Sequence, residues 1–161
     1  MTTVKPKLSV GDIFRFGDPE NGWGYGQILR TDIIQYIVVF EPIFGAEAKL
    51  EEITASPLLL CGWTSDARFF SGDWQVIGNK APIHVVFPEY KVAMSGDTWV
   101  TDVDGNLLRS ATSEEAERLL FQTSHSPIAF EKAFKAYHGS LPWEARFEQL
   151  LCDHKPGKAS V

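Results

Sequence analysis

Cysteine is nearly missing from this sequence: Cys61 and Cys152 are its only two. A pair of thiols cannot build a disulfide framework, and neither has the Cys-X-X-Cys or Cys/His spacing of a zinc site, so both are expected as reduced thiols. No apolar run approaches the roughly 18 residues of a membrane-spanning helix. The opening MTTVKPKLSV lacks the continuous apolar stretch of a secretion signal, which makes a cytoplasmic protein without a membrane partner the expectation. Positive charge is in deficit, with 15 Lys and Arg against 21 Asp and Glu and a formal net charge of −6. Phosphate affinity comes from clustered Lys and Arg, so a general nucleic-acid binder is disfavoured, and a basic protein is the better partner for such a chain. Internal repeats and low-complexity segments are absent. The four histidines, His84, His125, His138 and His154, have no HExxH spacing, and the chain has no G-x-S-x-G elbow. Local sequence therefore supplies no catalytic residue, no metal ligand and no cofactor motif. A set assembled from distant residues is the remaining route to an enzyme.

What is present is an ordinary globular composition, 44% hydrophobic and 22% charged over 161 residues. That length suits one domain over 1–161, with a folded core at 8–152 and a frayed tail at 153–161. The chain is organised around Val10 to Glu41. Asp12, Phe14 and Phe16 alternate with Ile13 and Arg15, the period of a strand. Asp18-Pro19-Glu20-Asn21-Gly22 then concentrates turn formers, so the chain reverses and pairs antiparallel. On the return strand, Trp23, Tyr25, Gln27 and Leu29 take one face; Gly24, Gly26, Ile28 and Arg30 take the other. The glycines leave a bare patch that something bulky should fill. IIQYIVVF follows, apolar on both faces and therefore expected at the centre of a sheet.

Gly45 to Ile53 reads as a short surface helix and PLLLCGW as a buried strand, with a polar connection over Thr64 to Gly72. Further strands are expected at Trp74 to Ile77, His84 to Phe87, Tyr90 to Met94 and Thr98 to Val103, with a hairpin turn at Asp104-Gly105. Trp74 and Ile77 are expected to be buried scaffold. Thr112-Ser113-Glu114-Glu115 is a capping box that should open a helix to about Gln122, burying Ala116, Leu119 and Leu120. Ser126-Pro127 opens a second, with Phe130, Ala133, Phe134 and Tyr137 on its apolar stripe and Gly139 as its stop. A third helical stretch runs from Pro142-Trp143 through Leu151. Strands first and helices last give an α+β fold: a mostly antiparallel, strongly bent β-sheet or partial barrel, with two to three helices toward the C-terminus.

Two motifs dissolve on inspection. Gly22-Trp23-Gly24-Tyr25-Gly26 is followed by a strand, whereas a phosphate loop needs a helix there, so close backbone approach accounts for it. Asp102-Val103-Asp104-Gly105-Asn106 places Leu107 where a calcium loop needs glycine, and a hairpin turn is the better reading. Phe14, Phe16, Trp23 and Tyr25 suggest a base-stacking platform, but the negative charge argues for core aromatics instead.

Three separated stretches, GDIFRF with WGYGQILR, GDWQVIGN, and SEEAE with the later FEKAFKAY, together resemble the immunity protein 26 family of bacterial polymorphic toxin systems over roughly residues 8–150. The resemblance implies a mostly β protein that neutralises a cognate protein toxin by binding it, without catalysis and without a cofactor. A small β-rich enzyme or a general protein-interaction module on the same scaffold is the alternative. Inhibitors concentrate affinity in a few aromatic anchors and gain association rate from complementary charge. The candidate contacts are Glu20 and Trp23 at the first hairpin tip, and Trp63 and Asp66 after the PLLLC strand.

Overall fold

The computed structural model describes residues 7–45 and 47–152, so the tail expected at 153–161 lies outside the described residues. Among them the chain forms β1 (Asp12–Asp18), β2 (Gly22–Thr31), β3 (Gln35–Phe40), α1 (Leu50–Thr54), β4 (Leu58–Thr64), α2 (Ala67–Ser71), β5 (Gln75–Asn79), β6 (Tyr90–Met94), β7 (Asp97–Thr101), β8 (Leu107–Ser110), α3 (Ser113–Arg118), β9 (Ser124–His125), α4 (Pro127–Tyr137) and a 3-10 helix, Ala145–Leu150. The fold is α+β, with most of its helical residues toward the C-terminus. The chain divides into two compact units, one running to Ile83 and resuming at Ser124, the other from His84 to Thr123.

The first unit holds an open six-stranded sheet in the order β5-β1-β2-β3-β4-β9, which does not close into a barrel. All its pairings are antiparallel except β4 with β9. Every residue of β3 is buried, as expected for a central strand with two apolar faces. The bare patch on β2 is filled from the neighbouring strand. Phe14 pairs with Gly26 and Phe16 with Gly24, and each phenyl ring lies over the glycine opposite it. A Cβ on Gly24 would sit 2.6 Å from Phe16 Cζ and 3.0 Å from Phe134 Cε1, while one on Gly26 would overlap Phe14 and lie 2.5 Å from the Val38 carbonyl oxygen. The glycines are thus a packing requirement.

Trp74 closes this layer at 1% exposure. Its indole stacks on Phe14 at 4.9 Å and 11°, with Phe16 at 5.7 Å and Phe69 edge-on at 5.3 Å. The polar end is satisfied: Nε1 donates to Glu131 Oε1 at 2.6 Å, and Arg68 donates to both oxygens of the same carboxylate at 3.0 and 3.1 Å. One carboxylate on α4 therefore ties down α2 and the start of β5 together. α4 begins as its sequence predicts, with Ser126 Oγ accepting from Ile128 N and Pro127 in the first turn, and it buries Phe130, Ala133 and Phe134. Tyr137 departs from the expected stripe. It is exposed, and Ala136 takes the buried position.

Other departures have local causes. Helix α1 starts only at Leu50, because Gly45 is held to the sheet by the Tyr25 hydroxyl, which donates to its carbonyl at 2.9 Å. The connection after β4 contains α2, stopped by Gly72 at φ 85° and anchored by buried Phe69. β5 pairs with β1 alone and is the edge strand, so Val76 and Ile77 are exposed, against the expected burial of Ile77. His84 to Phe87 joins no ladder; it lies between Pro82 and Pro88, and proline donates no backbone hydrogen bond.

The second unit is a three-stranded antiparallel sheet, β6-β7-β8, with α3. The capping box is formed: Thr112 Oγ1 accepts from Glu115 N at 3.1 Å and Glu115 Oε1 from Thr112 N at 3.0 Å. Glu115 also accepts from Arg109, which in turn holds Glu89 at 3.0 Å, and these bonds keep the Glu115 carboxyl below the usual range. The helix ends at Arg118 instead of Gln122 because the chain then pairs with β6, Lys91 N donating to Leu120 O at 3.0 Å. Leu119 is buried and Leu120 exposed. Tertiary pairing here overrides helix propensity.

Two substitutions test this packing. Gly26→Val should lower stability by about 1–3 kcal/mol through overpacking, and Trp74→Ala by about 3–5 kcal/mol. Both are read as denaturant midpoints at unchanged slope; a Gly26→Val midpoint equal to wild type would mean that Phe14 does not rest on that glycine.

Candidate functional site

The hairpin joining β1 to β2 is built by its own polar residues. Asp18 accepts at Oδ1 from the backbone of Glu20 at 2.9 Å and of Asn21 at 2.8 Å, and Asn21 Nδ2 donates to Oδ2 at 3.2 Å. The Asn21 backbone, followed by its side chain, holds the Asp18 carboxyl below the usual range. Gly17 and Gly22 supply φ values of 121° and 90° at the two ends of the turn. Glu20 is left exposed at the tip.

Trp23 is half-buried just inside the tip. The Arg15 guanidinium lies over its ring at 4.2 Å, and its backbone pairs with Phe44 in both directions at 2.8 and 2.9 Å. The indole is thereby presented in one fixed orientation with a cation on one side. Phe44 and Tyr25 meet edge-on at 5.7 Å behind it.

Beside the tip is a groove of about 320 Å³. Phe16, Gly24 and Phe134 form part of its lining, and Asp18, Asn21, Ile43, Lys135, His138 and Leu141 are among the others. Ile43 and Leu141 are exposed. Gly22 makes room for Ile43, since a Cβ at this position would overlap Ile43 Cγ2. His138 is fixed by a 2.7 Å hydrogen bond between Nε2 and the Glu41 carbonyl. Apolar side chains ringed by a carboxylate, an amide, a lysine and a histidine suit recognition of a mixed apolar and polar surface.

The second candidate pair sits elsewhere. Trp63 is 6% exposed and packs edge-on against Tyr36 at 5.4 Å, while Asp66 precedes the first residue of α2 and is half-buried. Register separates the two pairs. Trp63 pairs with Tyr36 and Tyr36 with Arg30, whereas Trp23 lies at the other end of β2, on the order of 20 Å away along the strand. Glu20 and Trp23 are brought together; Trp63 and Asp66 belong to the opposite end of the sheet. Ile43, Lys135, His138 and Leu141 had no local signal in the sequence, because the groove assembles three distant segments. Among the described residues, no group of three or more His, Cys, Asp or Glu side chains is placed to hold a metal ion, and no helix is long and apolar enough to cross a membrane.

The family model for Immunity protein 26 matches residues 9–89, half of the chain, from β1 through β5. This chain belongs to that family. No curated protein and no solved structure matches it. The Immunity protein 26 match takes in the hairpin, Trp23, Ile43 and the Trp74 layer; the SEEAE and FEKAFKAY stretches lie beyond its end.

The Asp18 turn gives a pH prediction. A carboxyl with a depressed folded value stabilises above its unfolded value, about 3.9, and that contribution is lost as pH falls through the lower folded value. The Glu20 and Asn21 amide resonances should hold position from neutral pH to about 4 and move only below it. Asp18→Asn should abolish the transition, and an unchanged profile in that variant would assign the titration elsewhere.

Proposed function

We propose that this protein neutralises a cognate protein toxin in the cytoplasm by binding it one to one, without turnover and without a cofactor. Membership of the Immunity protein 26 family carries the reading, since the name itself describes a protective role against a toxin. The chemistry of the hairpin end supports it. An exposed carboxylate, Glu20, and an oriented tryptophan, Trp23, share one hairpin, which combines steering charge with an aromatic anchor, while the groove lies on the other face of β2. The net charge of −6 fits a basic protein partner and disfavours nucleic acid.

The contact is assigned to Glu20 and Trp23. Asp66 is a second, separate candidate at the far end of the sheet. Trp63 is buried, its indole packed on Tyr36.

Co-expression with a candidate toxin from the same gene neighbourhood tests this reading. Growth should be restored only when the protein is at least equimolar with the toxin, and protection at catalytic amounts would overturn it. Glu20→Lys should slow association several-fold and flatten its salt dependence, while Trp23→Ala should raise the dissociation rate. Association indifferent to both changes would remove the hairpin end from the interface.

A further inference from the structure

The guanidinium that lies on Trp23 is held from two sides. Trp23 is diagonal to Arg15, because its partner in the ladder between β1 and β2 is Gly17, two residues further along the same face. On the other flank Arg15 pairs with Gln75 of β5, and its Nε donates to Gln75 Oε1 at 3.2 Å. A ring at 4.2 Å and an amide on Nε leave this long side chain little rotamer freedom, so the ordering that a loose arginine gives up on binding is already given up here.

That restraint satisfies only part of the group. Arginine carries its N–H donors in one plane, and stacking on a ring uses the face of that plane while leaving its edge. Among the described residues the N–H groups on Nη1 and Nη2 have no acceptor, and no carboxylate lies within ion-pair distance of Arg15. Other arginines of the chain do have one. Arg68 holds Glu131 at 3.0 Å, Arg118 holds Glu114 at 2.8 Å and Arg146 holds Glu144 at 3.1 Å. With 21 Asp and Glu against 15 Lys and Arg, carboxylates are plentiful, and an ordered guanidinium left without one is unlike its counterparts. Its position is at the hairpin already assigned to the toxin. β1 continues from Arg15 only to Asp18, so the turn that carries Glu20 begins on the order of 10 Å away.

We propose that Arg15 is a carboxylate-binding site at the toxin interface, its Nη1 and Nη2 groups taking an Asp or Glu side chain of the toxin in a two-pronged hydrogen bond beside the Trp23 anchor. The proposal rests on the immunity reading above and deepens it, by giving the same contact a second sign of charge. Glu20 receives a cation and Arg15 an anion, so a toxin bound the wrong way round sets like charges together. The two-pronged geometry and the stacked plane belong to a guanidinium, and an ammonium reproduces neither.

The experiment measures affinity between the full chain and a purified candidate toxin domain from the same gene neighbourhood, with growth protection read in parallel. Arg15→Lys, which keeps the charge, should weaken binding roughly tenfold at an unchanged thermal melt, and Arg15→Glu should weaken it further. Replacing the toxin's exposed Asp and Glu residues by Lys, one at a time, should then yield a toxin variant that binds the Arg15→Glu chain better than it binds wild type. Failure of every such reversal to rescue Arg15→Glu would leave Arg15 as a support for Trp23 alone and overturn the carboxylate site. Wild-type affinity in Arg15→Lys would overturn it as well, and the inhibitor reading survives either result. Gln75→Ala, at an exposed position of the edge strand, carries the test should an Arg15 substitution disturb folding: it should weaken binding several-fold, and wild-type affinity in that variant would overturn the proposal. Absence of binding and protection by the wild type would overturn both readings. Retention of a single-stranded oligonucleotide by the wild type and not by Arg15→Glu would assign the stacked pair to nucleic acid, and a wild-type dimer that Arg15→Glu dissolves would assign it to a second copy of the chain; each overturns the proposal.

Discussion

Two phenylalanines resting on two glycines set the geometry of the first unit. Phe14 over Gly26 and Phe16 over Gly24 leave no room for a side chain on β2, and the flat surface they create is what Trp74 and Phe134 pack against. Glycine is an unfavourable strand residue in isolation, because it loses the most entropy on ordering and contributes no side chain. Here that loss is offset by aromatic packing across the pair, where each ring covers the strand that the glycine leaves bare. The same arrangement brings α4 close to the sheet, since Gly24 faces both Phe16 and Phe134. Helix, sheet and hairpin are therefore positioned by one cross-strand pattern.

Trp74 carries that constraint outward. An indole at the centre of the aromatic layer would strand its N–H without a partner, and Glu131 supplies one. Burying the carboxylate next to an indole would in turn be costly without a cation, which Arg68 provides through two hydrogen bonds. The ion pair acts as an alignment device between α2 and α4, more than as a source of stability, because both charges gave up water to form it. Arg68 also holds Asp73 at 3.0 Å, immediately before Trp74.

Much of this was legible in the residues. The bare glycine face and the demand for something bulky over it follow from alternation alone, and Phe14 and Phe16 meet that demand. The turn at Asp18–Gly22, both capped helices and the hairpin at Asp104-Gly105 were equally visible, because each depends on side chains bonding to backbone a few residues away. Misread segments depend on distant partners instead. Ile77 has the composition of a buried strand, but β5 lies at the sheet edge, and position within a sheet is not encoded in a five-residue stretch. The residues after Arg118 have helical spacing, yet Lys91 claims the Leu120 carbonyl and draws them into extended pairing. Helix α2 left one readable trace, Gly72 after it, while Asp66 before it makes no side-chain cap.

The groove beside the hairpin shows why the candidate site was only half readable. Glu20 and Trp23 announce themselves, being a carboxylate at a turn and a tryptophan next to glycines. Ile43 and Leu141 do not, because each is an ordinary aliphatic residue in an irregular segment and acquires meaning only through the other. What joins them is again the glycine requirement. Gly22 admits Ile43 against the hairpin, and Gly24 admits Phe134 and with it the end of α4 that bears Lys135 and His138. The packing rule that stabilises the sheet thus also shapes the surface next to the first hairpin. A substitution that relaxed the rule would alter recognition and stability together, so the hairpin tip, where Pro19 and Glu20 make no such contact, is the place where the contact chemistry can vary while the scaffold stays fixed.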